Sequence, residues 1–467
     1  MRRLLGCALL VLAAPAPAAP DALTVGTHAG AVHGAWADTR EDVRVYRGIP
    51  YASPPVGELR FKPPQPPAAW SGVREATRPA PACMQSIVGS MLPWTREYMH
   101  NGAVSEDCLY LNLWTAAKAP SERRPVLVYI YGGGFSQGSI EVPIYDGAQL
   151  ARQGVVVVMM NYRLGALGFL AHPALAGESP HHASGNYGLL DQIEALRWVR
   201  QNIAAFGGDP QRVTIAGQSA GAISAYLLTA SPLAQGLFER AIIQSGPGAL
   251  AAFGFASVSA MASPRADAEQ AGQKFADALQ TTTAQRLRAL DAKQFLAPPG
   301  ANGGTRFGPA VDGWVLPQDP ESLYAAHRFN DVPILIGMMA DEGSAFGGYS
   351  AERAAQARAL GRTATDEFLS ARARVSRQPA FAYYFAHAIP WPQQPQFGAF
   401  HSGELPYTFN NLALLDRPWT ATDRALAHTV SAYWVQFTTS GTPQKAGLPP
   451  WPAYVPGSQQ FMVFDEP

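Results

Sequence analysis

The chain has 467 residues, 47% of them hydrophobic, with 35 basic against 35 acidic side chains and a formal net charge of zero. A chain this long and apolar can bury a large core, and its composition excludes intrinsic disorder. With no excess charge and no run of like charges, binding to nucleic acid or to an acidic surface has no electrostatic basis.

Arg2 and Arg3 precede an apolar run over residues 4–14, which ends in Pro-Ala-Pro-Ala-Ala-Pro. A charged start, a short apolar middle and a small-residue end predict a secretory signal peptide over residues 1–18, cut after Ala18. The run is too short to span the ~30 Å of a bilayer, so no membrane span is expected. The mature chain, 19–467, is expected to form a single domain. Of three cysteines, Cys7 leaves with the leader, and Cys83 and Cys108 remain. In an exported chain the pair predicts one disulfide, which contributes on the order of 3–4 kcal/mol through loop closure; the other reading is two buried thiols. No cysteine or histidine spacing suggests a metal.

Residues 23–47 alternate in short apolar pieces broken by Gly30, Gly34 and Asp38, which predicts an antiparallel meander. A proline-rich loop follows over 48–64. The stretch from Cys83 to Cys108 is a long loop carrying Met91, Trp94, Tyr98 and Met99, and such loops cover a core edge or a binding site. Residues 125–130 predict a strand, followed at once by Tyr131-Gly132-Gly133-Gly134-Phe135. Three glycines at a strand end leave backbone N–H groups free to approach a ligand; the alternative is a flexible turn. Residues 155–160 form a continuous apolar run, as in a strand buried on both faces of a parallel sheet. Helical spacing follows over 189–206, and Gly207-Gly-Asp-Pro210 stops it.

The next stretch organises the rest. The β-branched run Val213-Thr-Ile215 leads into Gly217-Gln218-Ser219-Ala220-Gly221, and a helical pattern follows from 222 to 228. Strand, sharp turn and helix with serine at the tip is the context of a nucleophile elbow, where Gly217 and Gly221 leave room for the turn. Further strands are expected at 241–244, 332–337 and 381–385, with helices inserted over 265–296, a glycine-proline break at 298–304 and a last long helix over 422–438. The tail, 451–464, predicts turns and one short strand. Strands alternating with helices predict an α/β fold on an open, mostly parallel sheet.

Acyl transfer by serine needs a base, a carboxylate to orient it, and donors where the oxyanion forms. In chain order the sequence offers Ser219, then Asp341 or Glu342 after a strand, then His401 in a loop, with His387 as the rival base. Nucleophile, acid, base is the order of α/β-hydrolases.

These residues resemble a type-B carboxylesterase of the esterase/lipase–cholinesterase family. The resemblance rests on Tyr46-Arg-Gly-Ile-Pro-Tyr-Ala52, Ser105-Glu-Asp-Cys-Leu-Tyr-Leu-Asn112, Tyr131-Gly-Gly-Gly-Phe135, Asn161-Tyr-Arg-Leu164, Phe206-Gly-Gly-Asp-Pro210, Gly217-Gln-Ser-Ala-Gly221, Asp341-Glu-Gly343 and His401-Ser-Gly-Glu-Leu-Pro-Tyr407, in that order along nearly the whole mature chain. It implies an α/β-hydrolase fold, Glu342 as the acid, His401 as the base, an oxyanion hole from the N–H groups of Gly133, Gly134 and Ala220, and pairing of Cys83 with Cys108. With the leader, it implies a secreted serine hydrolase of small-molecule carboxylic esters, and the chemistry needs no metal or organic cofactor. The same machinery cleaves amides, thioesters or carbamates, and a non-catalytic scaffold on this fold is a more distant reading. Trp94, Tyr131 and Phe135 are candidate pocket walls, with Trp314 and Trp391 beside them. Two departures stand out: Gln218 occupies the place where cholinesterases carry a glutamate, and the inserted helical regions after Leu250 and between Phe346 and Phe381 are short, which predicts a reduced cap and an open site.

Overall fold

Ten apolar segments assemble into one twisted sheet in the computed structural model, which describes residues 21–252, 262–296, 306–346, 350–458 and 460–465. The expected leader and the break at 298–304 lie outside the described residues. The strands are β1 (Ala35–Trp36), β2 (Arg44–Pro50), β3 (Tyr110–Thr115), β4 (Arg124–Ile130), β5 (Val156–Met160), β6 (Gly208–Gln218), β7 (Arg240–Gln244), β8 (Ile334–Met339), β9 (Ala380–Phe385) and β10 (Met462–Phe464). Their spatial order is β10-β9-β8-β7-β6-β4-β5-β3-β2-β1. From β5 across to β10 every pairing is parallel, and the β3, β2 and β1 pairings at the other edge are antiparallel. The expected α/β-hydrolase architecture is therefore present: Val156, Val157 and Val158 have no exposed surface, as a strand covered on both faces requires.

The five longest helices among the described residues are α1 (Tyr187–Asn202), α2 (Ala220–Ala230), α3 (Arg265–Ala278), α4 (Ala351–Ala373) and α5 (Ala421–Ser440). Helix α2 is buried along its whole length, which its alanine-rich sequence permits. Thr420 caps α5, with its hydroxyl accepting from the Asp423 N–H, and Gly441 ends it in the left-handed region at φ 79°. Among the described residues no helix is long and apolar enough to cross a membrane.

Three expectations shift. The meander over 23–47 divides between two sheets: Thr24–Gly26 and Ala31–His33 pair antiparallel in a small sheet with Val73–Glu75, while β1 and β2 join the main one. The elbow strand begins at Gly208, earlier than Val213, because Gly207 turns at φ 82° and the chain enters the sheet directly, with a register shift before Val213. The helical stretch expected over 265–296 breaks after Ala278. There Gln280 adopts φ 53°, and the β-branched run Thr281-Thr-Thr283 favours extended backbone until Thr283 caps a new helix at Ala284–Ala289.

Cys83 and Cys108 form the expected disulfide across a sequence separation of 25. It closes the loop that carries Trp94 over the C-terminal edge of the sheet, where the indole N–H donates to the His401 carbonyl at 3.2 Å.

Beneath that edge the core holds a carboxyl group. Glu404 has no exposed surface, and its Oε1 accepts from Gln244 Nε2 at 3.3 Å. Gln244 is fixed in turn by the Tyr129 hydroxyl at 3.1 Å and by Thr408 at 3.2 Å. Burial, and then the nearby Glu342 carboxylate, push the Glu404 carboxyl up to about 8 from an ordinary value of 4.5. The folded state therefore keeps a proton that the unfolded chain releases, and stability falls as pH rises through that window, by up to about 1.4 kcal/mol per pH unit. The substitution Glu404→Gln is expected to flatten this dependence. Urea unfolding of both proteins from about pH 5 to about pH 9 would show the variant gaining on the parent as pH rises.

Candidate active site

The C-terminal ends of β4, β6 and β8 and the loop after β9 converge on one place, where open α/β sheets put their ligands. At the end of β6, Ser219 adopts φ 58°, ψ −124°, a region costing roughly 1–3 kcal/mol for a residue with a Cβ. Two bonds fix it: its N–H donates to the Gln244 carbonyl at 2.9 Å, and its carbonyl accepts from the Ile223 N–H at 2.9 Å as α2 begins. The flanking glycines are sterically required. A Cβ on Gly217 would lie 2.3 Å from the Gly221 carbonyl, and one on Gly221 would lie 2.0 Å from the Ile130 carbonyl oxygen. Ser219 keeps partial exposure between Gln218 and Ala220, each 2% exposed.

The glycine loop reaches the serine because Gly217 pairs with Ile130 at the end of β4. Gly132 passes so close that a Cβ there would sit 3.1 Å from the Ser219 Cβ. Gly133 and Gly134 follow with φ of 112° and 61°. Ala220, as the first residue of α2, has an N–H with no intrahelical acceptor. Tyr131, expected at the pocket, lies instead in the core beneath this loop. It has no exposed surface and stacks on Tyr162 with ring centroids 4.6 Å apart, and the Tyr162 hydroxyl donates to the Tyr131 carbonyl at 3.0 Å.

Glu342 follows β8 and is 1% exposed. Its Oε1 accepts from the Met339 N–H at 2.9 Å, and its Oε2 accepts a short hydrogen bond from His401 Nδ1. That bond fixes the tautomer and leaves a lone pair on Nε2, which faces the elbow: the Gln218 side-chain amide donates to it at 3.3 Å. The ring is 4% exposed overall and sits edge-on to Trp94 at 6.4 Å and beside Phe346 at 5.8 Å. The rival His387 is bonded elsewhere, to Asp423 at 2.8 Å, with the Tyr407 hydroxyl on the same oxygen. Asp341 pairs with Arg358 at 2.5 Å.

The structure thus brings Ser219, Gly133, Gly134, Ala220, Glu342, His401 and Trp94 to one edge. Phe135 closes the glycine loop, nearly buried against Phe169 at 5.2 Å. Trp314 stacks on His181, and Trp391 lies under the Arg417 guanidinium at 3.8 Å. Phe346 carries no spacing signal of its own, and Glu404 is visible in the sequence only as part of the motif that His401 opens. Among the described residues no cluster of three or more histidine, cysteine or acidic side chains is arranged to hold a metal ion.

Residues 21–371 and 362–467 match the carboxylesterase family. The fumonisin B1 esterase of Sphingopyxis macrogoltabida is 39% identical over 92% of this chain and 84% of its own length. The para-nitrobenzyl esterase of Bacillus subtilis is 36% identical over 94% of each. The crystal structure of a Geobacillus stearothermophilus carboxylesterase superposes with a TM-score of 0.79 at 33% identity, covering 95% of this chain and 96% of that one. The chain therefore belongs to the carboxylesterase family, a family of carboxylic ester hydrolases.

Proposed function

We propose that this enzyme hydrolyses its ester through an acyl-enzyme on Ser219, with His401 as the base and Glu342 as the group that orients it. The observation that carries this reading is the buried Glu342–His401 hydrogen bond, with Nε2 at the Gln218 amide, one residue before the strained serine. In the first half-reaction the Ser219 hydroxyl oxygen attacks the carbonyl carbon while His401 Nε2 takes its proton. The Gly133, Gly134 and Ala220 N–H groups stabilise the oxyanion, the C–O bond to the alcohol breaks, and His401 returns the proton to the leaving oxygen. Water then attacks the acyl carbon by the same route and regenerates the free serine. Glu342 stays ionised and stabilises the imidazolium in both halves.

Trp94 and the exposed ring of Phe346 pack against each other beside His401 and place apolar surface next to it, and Gln218 adds an uncharged amide where a carboxylate would attract a cation. A neutral ester with an apolar acyl or alcohol group fits this lining. Residues 1–18 support export, and the disulfide agrees with an oxidising compartment.

Initial rates on p-nitrophenyl esters of increasing acyl length test the chemistry. Ser219→Ala is expected to lower kcat by at least about 10³-fold, and Glu342→Gln by about 10⁴-fold through loss of the imidazolium's partner, both in folded protein. Undiminished turnover in Ser219→Ala would remove the serine from the mechanism. For export, the full chain expressed in a secreting host is expected to yield a mature protein that starts at Ala19; an intact leader on secreted protein would contradict the cleavage reading.

A further inference from the structure

The residue next to the buried acid is tied to the loop that carries the base. The Asp341 N–H donates to the Ala399 carbonyl at 3.0 Å, and Asp341 Oδ2 accepts from the Ala399 N–H at 2.9 Å. A parallel bridge pairs Asp341 with Phe400, and the Ser344 hydroxyl donates to the Phe397 carbonyl at 2.8 Å. Gly398 turns at φ 53° beside this carboxylate, and a Cβ there would lie 2.3 Å from Oδ2. The other carboxylate oxygen receives the Arg358 guanidinium from α4 at 2.5 Å, with the arginine side chain 47% exposed.

We infer that Asp341 is a positioning residue for the reaction: its backbone and carboxylate clamp the His401 loop to the Glu342 loop, and Arg358 anchors the clamp from α4. This rests on the acyl-enzyme reading above. Between β9 and His401 the backbone is irregular apart from a single 3-10 turn, Pro395–Phe397, so the sheet alone does not fix where His401 sits. The clamp supplies that constraint one residue before Glu342 and one or two before His401. A base displaced by about 1 Å costs about 100-fold in rate while leaving substrate binding largely intact.

The test compares Asp341→Ala with Asp341→Asn in the full-length enzyme, by kcat and KM on a p-nitrophenyl ester and by circular dichroism for folding. Asp341→Ala is expected to lower kcat about 10- to 100-fold with KM within about threefold of the parent. Asp341→Asn keeps an oxygen for the Ala399 N–H and is expected to recover kcat to within about fivefold of the parent. Equal loss in both variants, or kcat within about twofold of the parent in Asp341→Ala, overturns the clamp. If Asp341→Ala does not fold, Arg358→Gln at its half-exposed site decides. A fall in kcat of about two- to fivefold at unchanged KM supports the anchor, and a parent-like kcat overturns it. Covalent labelling of Ser219 by a fluorophosphonate in the parent separates the two readings. An unlabelled, inactive parent removes the acyl-enzyme, whereas a labelled, active parent with an unimpaired Asp341→Ala removes only the clamp.

Discussion

The backbone of Ser219 is the constraint on which the site depends. A serine at φ 58° is held there only because the structure around it leaves no alternative. Its N–H is fixed on β7 through Gln244, its carbonyl opens α2, and the two flanking glycines allow α2 to approach β4 closer than any side chain would permit. The same close approach sets the glycine loop against the serine, because Ile130 and Gly217 are register partners and the loop begins just beyond Ile130. One steric arrangement thus leaves the serine partly exposed, starts a helix behind it and sets the glycine loop beside it.

Hydrogen bonding then distinguishes two buried acids. Glu342 accepts from both a backbone N–H and His401. Glu404 lies in the same low-dielectric region without a comparable donor set and is held protonated toward neutral pH. The two buried carboxyl groups thus differ in their donors, and Glu342 is the one bonded to His401. Gln218 completes the surroundings of His401 with a neutral dipole, so the ring is held on one side by the Glu342 carboxyl and on the other by an amide.

Much of this was legible in the sequence. The buried strands announce themselves as unbroken apolar runs, and the glycines at 217 and 221 mark the elbow because only a residue without Cβ fits there. The choices between Glu342 and Asp341, and between His401 and His387, were not legible from periodicity or position. Both histidines sit beyond β9 near its end or loop, and both are buried beside a carboxylate; only the family motif separated them beforehand. Tyr131 misled because it adjoins the glycine loop, yet its ring is stacked on Tyr162 in the core. The bonds from Asp341 to Ala399 span 58 residues of sequence, and no local pattern encodes such a pairing. The break after Ala278 followed from a threonine run whose β-branching outweighed the helical spacing on either side.

The most direct test of the account is mass mapping of the enzyme after reaction with a fluorophosphonate, with residual ester turnover followed in the same sample. A single adduct is expected on the peptide that carries Ser219, with activity falling in proportion to its occupancy. An adduct on any other residue, or full turnover retained with Ser219 modified, would contradict it.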